Sequence, residues 1–275
     1  MGQQSNPNSL RPQNKNLRGH PIWDKPNFNY ITQNIHKLVT ACCKSSNLYL
    51  NEIYINLSHD YIFIEIKILH LYNTTSVTKA VNRFIPPNNS KHQHSWRNFL
   101  RRIYLCQRLI LDFTGLKKIK LKITRTIVHS RSIPIKVRQK TTFYLKKYNK
   151  VKFNYAHAGI KILYLIAKQK TTVQSLTSFI KNNIRTRSKR KKHIDFLKFL
   201  KHCFESLKTH KVIKGIKIQI KGRFGHKPKG RSKIWKYQLG TIPLNTLKVP
   251  IQYNYKQAQT KLGAVGIKAW IYKTD

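Results

Sequence analysis

The chain is expected to fold as an α+β protein: an N-terminal extended arm, a helix-strand-strand-helix-strand unit, and a C-terminal unit of two helices and a four-stranded sheet. Three observations predict this. Apolar and polar residues alternate along Leu50–Leu57, Tyr61–Leu71, Leu116–Val128 and Gly215–Lys221, the period of a half-buried strand. Apolar residues recur at helical spacing over 95–113, 158–182 and 195–208. The 275 residues are 40% hydrophobic, enough for real cores despite 55 Lys and Arg against 8 Asp and Glu.

Residues 1–30 are polar and carry Pro7, Pro12, Pro21 and Pro26, the composition of an arm that needs a surface to order it. A first domain spans 31–128. Its first helix is expected over about 32–46, with Ile35, Leu38, Val39 and Cys42 on one side. Leu50–Leu57 and Tyr61–Leu71 follow as strands, and Ser58-His59-Asp60 has the length of a hairpin turn. Residues 73–93 are expected to be loop, and Ser95 to cap a helix running to about Phe113 that Gly115 stops. Strand Leu116–Val128 closes the domain. Residues 129–155 are a basic linker, and a second domain spans 156–275: a helix over 158–182, another over 195–208, then strands at about 213–223, 234–242, 247–255 and 263–273.

A formal net charge of +47 would strain a compact monomer by self-repulsion and implies a dense polyanion as partner. RNA fits best, because neutralising many phosphates releases counterions. No apolar run reaches the roughly 18 residues of a spanning helix, and no membrane partner is expected. The N-terminus has neither an apolar signal core nor an Arg/Ser-rich presequence, and Asn6 stands where myristoylation wants Ser or Thr. Cys42, Cys43, Cys106 and Cys203 form no C-x-x-C pair, so they are expected to be ordinary buried thiols with no metal. The scattered acids cannot build a two-metal phosphoryl-transfer site; Asp195 and Glu205 are the only ones of the second domain before its last residue. His92 and His94 flank Gln93 in a polar stretch and lack further ligands. No Walker loop or nucleophile elbow is present, and neither enzyme activity nor a cofactor is expected.

The RNA signal is concentrated in two places. Gly215-Ile-Lys-Ile-Gln-Ile-Lys-Gly-Arg-Phe-Gly225 is a strand with one apolar and one basic face, leading into the basic loop His226–Lys233. The run 185–193 carries Arg185, Arg187, Lys189, Arg190, Lys191 and Lys192 with almost no acid nearby. Arginines there can fork onto phosphates while lysines act as mobile point charges.

Gly222–Gly225, Gly240-Thr-Ile-Pro-Leu-Asn-Thr-Leu247, Ile251-Gln-Tyr253 and Gly263–Ile271 keep consistent spacing over about sixty residues, with Gly263 and Gly266 in a turn leading into a strand. This stretch resembles the C-terminal domain of the small-ribosomal-subunit protein S-three family. The opening Met1-Gly-Gln-x-x-Asn-Pro7 is similar to that family's polar arm, and Thr114-Gly-Leu116 and Ser175-Leu-Thr-Ser178 resemble segments between. The first domain has the element order of a type II KH-like module, but the Gly-x-x-Gly clamp is missing between Leu71 and Ser95. The middle departs further, with 72–94 rebuilt and insertions near 128–153 and 183–193.

The resemblance implies a structural role in the small-subunit head, with small-subunit rRNA, mRNA and the neighbouring proteins S-ten and S-fourteen as partners; a free-standing RNA-binding chaperone or a nucleic-acid-processing enzyme is the alternative. It places Lys198 and Lys201 beside the path by which mRNA enters, with Leu197 at a third position that is basic in the family, so the 185–192 run would compensate. Arg223, Lys227, Lys229, Arg231 and Lys233 are the remaining expected RNA contacts. A composition leaning on Lys, Asn, Ile, Tyr and Phe suggests A/T-rich codons. Together with the lack of a presequence and the diverged KH-like module, it favours a mitochondrial, organelle-encoded member, with a plastid or bacterial one as the alternative.

Overall fold

The computed structural model describes residues 7, 11, 28–46, 48–57, 61–71, 90–128, 155–186, 190–207, 213–223 and 231–273. They form two compact units, one of residues 16–128 and one of 1–15 with 129–275. The α+β class holds, with helices and two separate sheets. Of the linker expected over 129–155, residues 129–154 lie outside the described residues, and Tyr155 already begins a helix.

The first unit contains α1 (Phe28–Ser45), β1 (Tyr49–Leu57), β2 (Tyr61–Leu71), α2 (Ser90–Thr114) and β3 (Lys118–Val128), in the order the sequence predicts. β1 and β2 pair antiparallel and β2 and β3 parallel, giving sheet order β1-β2-β3. The alternation in β2 turns Ile62, Ile64, Ile66 and Ile68 into the core, against Ile35 and Val39 of α1 and Phe99, Ile103 and Ile110 of α2. α2 begins earlier than expected: His92 and His94 belong to its first turns, not to a loop. Residues 90–95 are all polar and carry no helical period, but no Gly or Pro stands among them to stop the helix from extending upstream. Cys42 Sγ lies 3.3 Å from Cys106 Sγ between the helices. Burial and the Cys106 contact push the Cys42 thiol up to about 12, and all four cysteines are buried and unbridged.

The second unit contains α3 (Tyr155–Ala167), α4 (Val173–Thr186), α5 (Arg190–Leu207), β4 (Ile213–Gly222), β5 (Lys233–Gly240), β6 (Ile251–Thr260) and β7 (Gly263–Lys273). The single helix expected over 158–182 is two. Gln169 adopts a left-handed φ of 57°, and the amides of Lys168, Gln169 and Lys170 close the end of α3 by bonding to the carbonyls of Tyr164, Ile166 and Leu165. α3 is buried along most of its length, with Ile162, Leu163, Leu165 and Ile166 at 4% exposure or less, so its pattern is apolar all round and not amphipathic. Its Tyr155 ring meets Phe196 and Phe199 of α5 edge-on, at 5.2 and 4.9 Å between centroids.

The sheet runs β5-β4-β7-β6, all antiparallel. The helices cover the face bearing Ile216, Ile218, Ile220, Ile267, Ala269 and Ile271, all fully buried; Phe204 of α5 stacks on Tyr237 of β5, and Lys256 of β6 donates to Ser178 of α4. The third strand is 251–260, not 247–255. Pro243 and Pro250 bracket the intervening segment and deny it ladder amides, which leaves Leu244, Leu247 and Val249 in a loop despite their apolar look. Gly266 stands inside β7 and pairs with Lys221 and Gln257, while Gly263 opens the strand with φ 114°.

Candidate nucleic-acid interface

The registers bring four rows of side chains to the sheet face opposite the helices. From one end they are Ile234, Lys221, Gly266 and Gln257; then Lys236, Gln219, Lys268 and Tyr255; then Gln238, Lys217, Trp270 and Tyr253; then Gly240, Gly215, Tyr272 and Ile251. The Trp270 end is closed. Trp270 and Ile251 are fully buried, the Tyr253 ring packs at 5.2 Å from the indole, and the Lys217 ammonium lies 5.5 Å from it. The other end is open, with Lys221, Lys236, Gln257 and half-exposed Tyr255 at the surface. None of the four strands contains an acidic residue, so a cation on this face meets no in-sheet counterion.

The three-stranded sheet of the first unit provides a contrast. Two of its four outward lysines are matched: Lys67 pairs with Glu52 at 3.1 Å and Lys122 with Glu65 at 3.3 Å, while Lys118 and Lys120 share the face. Tyr54 donates to the same Glu52, and Lys67 and Lys120 lie over the rings of Tyr54 and Tyr61. That surface is partly neutralised, by two glutamates against four lysines. The four-stranded sheet has no acidic residue at all, and this makes it the better phosphate-facing surface.

Among the described residues, those expected from sequence do not form one patch. Lys198 and Lys201 are exposed on α5, in the helix layer and away from the open sheet face, and Lys201 sits 3.9 Å from Glu205. Arg185 is exposed at the end of α4. Arg223, Arg231 and Lys233 are exposed at the β4–β5 end of the sheet. Arg187, Lys189, Lys227 and Lys229 lie outside the described residues, as do the side chains of Arg190, Lys191 and Lys192, although α5 begins at Arg190. Lys217 and Lys221 are on the basic strand face the sequence singles out. Lys236 and Lys268 join them only through strand register, which local periodicity does not reveal.

Arg11 was also hidden from sequence reasoning. The arm expected over 1–30 gives way to α1 at Phe28; of residues 1–27 only positions 7 and 11 are described, and Arg11 is 2% exposed. Its Nε donates to the Val249 carbonyl at 3.1 Å, Nη1 to Pro7 at 3.2 Å, and Nη2 to Leu244, Thr246 and Pro243 at 2.9, 3.1 and 3.4 Å. At this position the arm is ordered by its own chain, at the loop joining β5 to β6, and the guanidinium is not displayed to a phosphate. Among the described residues no group of three His, Cys, Asp or Glu could hold a metal ion, and no helix is long and apolar enough to cross a membrane.

Residues 187–271 match the ribosomal protein S3 C-terminal domain. The matched segment holds α5, the four-stranded sheet up to Ile271 of β7 and therefore the open lysine-bearing face. Proteins described as small ribosomal subunit protein uS3 are similar to this chain: that of Salinispora tropica is 42% identical over 64 residues, covering 23% of this chain and 22% of the relative. That of Frankia casuarinae is 44% identical over 62 residues, covering 22% and 19%. That of Nitratiruptor is 31% identical over 115 residues, covering 42% and 48%. The chain thus spans from about a fifth to about half the length of these relatives. Together the matches support an S3 family protein.

Proposed function

We propose that this chain is a structural constituent of the small ribosomal subunit that binds small-subunit rRNA in the head. The observation that carries the reading is the coincidence of the S3-like segment with a sheet face of lysines and no acids. In this reading the first unit is a KH-like module that has lost its clamp. The proteins S-ten and S-fourteen are its neighbours, and the ribosome is mitochondrial, on the strength of the Lys-, Asn- and Ile-rich composition. Sedimentation of tagged chain through a gradient tests it. Retention on the small subunit in high salt is expected, whereas release into the free fraction would make the protein a loosely bound RNA chaperone.

The finer role in this reading lies at the mRNA entry path: Lys198 and Lys201, both exposed on α5, and the basic run 185–192 supply the cations that hold the backbone of an unwinding message. Replacing Arg185, Arg187, Lys189, Arg190, Lys191 and Lys192 by glutamine is expected to lower translation of structured messages several-fold, with unstructured ones and subunit association spared. Equal translation of both classes would remove the mRNA role and leave the rRNA role standing.

A further inference from the structure

We infer that the open half of the four-stranded sheet is a stacking platform for an unpaired RNA base, with Tyr255 as the stacking residue and Lys221, Lys236 and Lys268 holding the flanking phosphates. The inference rests on the reading that this chain binds RNA, and it names the form of RNA that this face takes.

The geometry starts at Gly266. Tyr255 stands on the edge strand β6 opposite Lys268, diagonal to Gly266 on β7. A Cβ at Gly266 would lie 3.5 Å from Tyr255 Cε2 and 3.6 Å from its hydroxyl. The ring therefore covers the bare glycine backbone and lies along the sheet, at van der Waals distance from where a Cβ at 266 would stand. Tyr255 nevertheless remains 50% exposed. One side of the ring is supported by backbone and the rest is open to solvent, which is what a base needs in order to stack.

The other tyrosines placed on the outward faces of the two sheets are already engaged. Tyr54, Tyr61 and Tyr272 each lie under a lysine ammonium, from Lys67, Lys120 and Lys214. Tyr253 packs on Trp270. No cation or ring of the described residues covers Tyr255. Lys268 is its direct cross-strand partner, Lys221 is paired with the Gly266 it covers, and Lys236 completes its row on β5. Gln219 and Gln257 stand within the same two rows and carry amides that can read a base edge or a ribose hydroxyl. An aromatic ring in a field of lysines suits a splayed single strand, because a duplex keeps its bases stacked inside and offers this ring nothing.

The test uses the full chain, a single-stranded RNA of about ten nucleotides carrying 2-aminopurine, and the same sequence as a duplex. The wild type is expected to bind the single strand more tightly and to quench the probe. Tyr255→Phe should keep both properties. Tyr255→Leu should weaken binding about tenfold and abolish the quench, and Tyr255→Thr, a strand former that adds no apolar surface, should do the same if the leucine variant folds poorly. Changing Lys221, Lys236 and Lys268 to glutamine should flatten the logarithmic salt dependence by about 2, at about 0.7 per phosphate contact. Unchanged affinity and quench in both Tyr255 variants, or equal binding of duplex and single strand, would overturn the platform and leave the face to a protein partner. Absence of any RNA binding by the wild type would instead contradict the RNA reading beneath it.

Discussion

Gly240→Ala is expected to destabilise the C-terminal unit by about 3–5 kcal/mol, combining left-handed strain with steric overlap. Gly240 has φ 68°, a conformation that costs a residue with a Cβ. A methyl group there would also overlap the Lys214 carbonyl oxygen on the neighbouring strand. Gly240 pairs with Gly215, where a methyl would overlap the Thr241 carbonyl, so the two backbones meet with no room for side chains. Two other glycines separate the contributions. Gly263→Ala has open space around it but φ 114°, and so isolates the strain. Gly266→Ala would make only van der Waals contact with Tyr255 and should cost little. Hydrogen exchange of β4 and β5 peptides measures the effect locally. Exchange in Gly240→Ala no faster than in Gly266→Ala would show that the strands do not meet as described.

Arg11→Ala is expected to be the next largest change, about 3 kcal/mol, because hydrogen bonds from a charged donor are worth more than neutral ones and several are lost together. The guanidinium gathers carbonyls from Pro243, Leu244, Thr246 and Val249 and ties them to Pro7. Without it the loop between β5 and β6 loses its internal donor. Exchange of amides over 241–250 should then accelerate by about a hundredfold, as expected for a local opening made easier by that amount. Arg11→Lys should recover only part of the protection, since one ammonium cannot span carbonyls that Nε, Nη1 and Nη2 reach separately. Equal exchange in all three proteins would mean that the arm does not hold this loop.

Much of the architecture was legible along the chain because it is written in local periods. The alternation in β2 and β4 announces strands with one buried face, and their buried isoleucines lie where that alternation puts them. The break between α3 and α4 was not legible. Gln169 takes the left-handed position at which glycine is usual, so no residue type marks the stop. The third strand of the second sheet was displaced because an apolar segment between two prolines imitates a strand. At the candidate interface, Lys217 and Lys221 follow from one strand's pattern. Lys236, Lys268 and Tyr255 converge on them only through pairings between distant segments, which depend on non-local register. The Arg11 contacts span more than 230 residues of sequence, and nothing near position 11 signals them.

The most direct measurement is a density map of the small ribosomal subunit purified with this chain in place. Density for α5 and the four-stranded sheet is expected in the head, with Lys221, Lys236 and Lys268 against rRNA phosphates and an unpaired base on Tyr255. Density that places the chain off the subunit head, or that turns this sheet face to solvent with no RNA against it, would overturn both the RNA-binding role and the base platform.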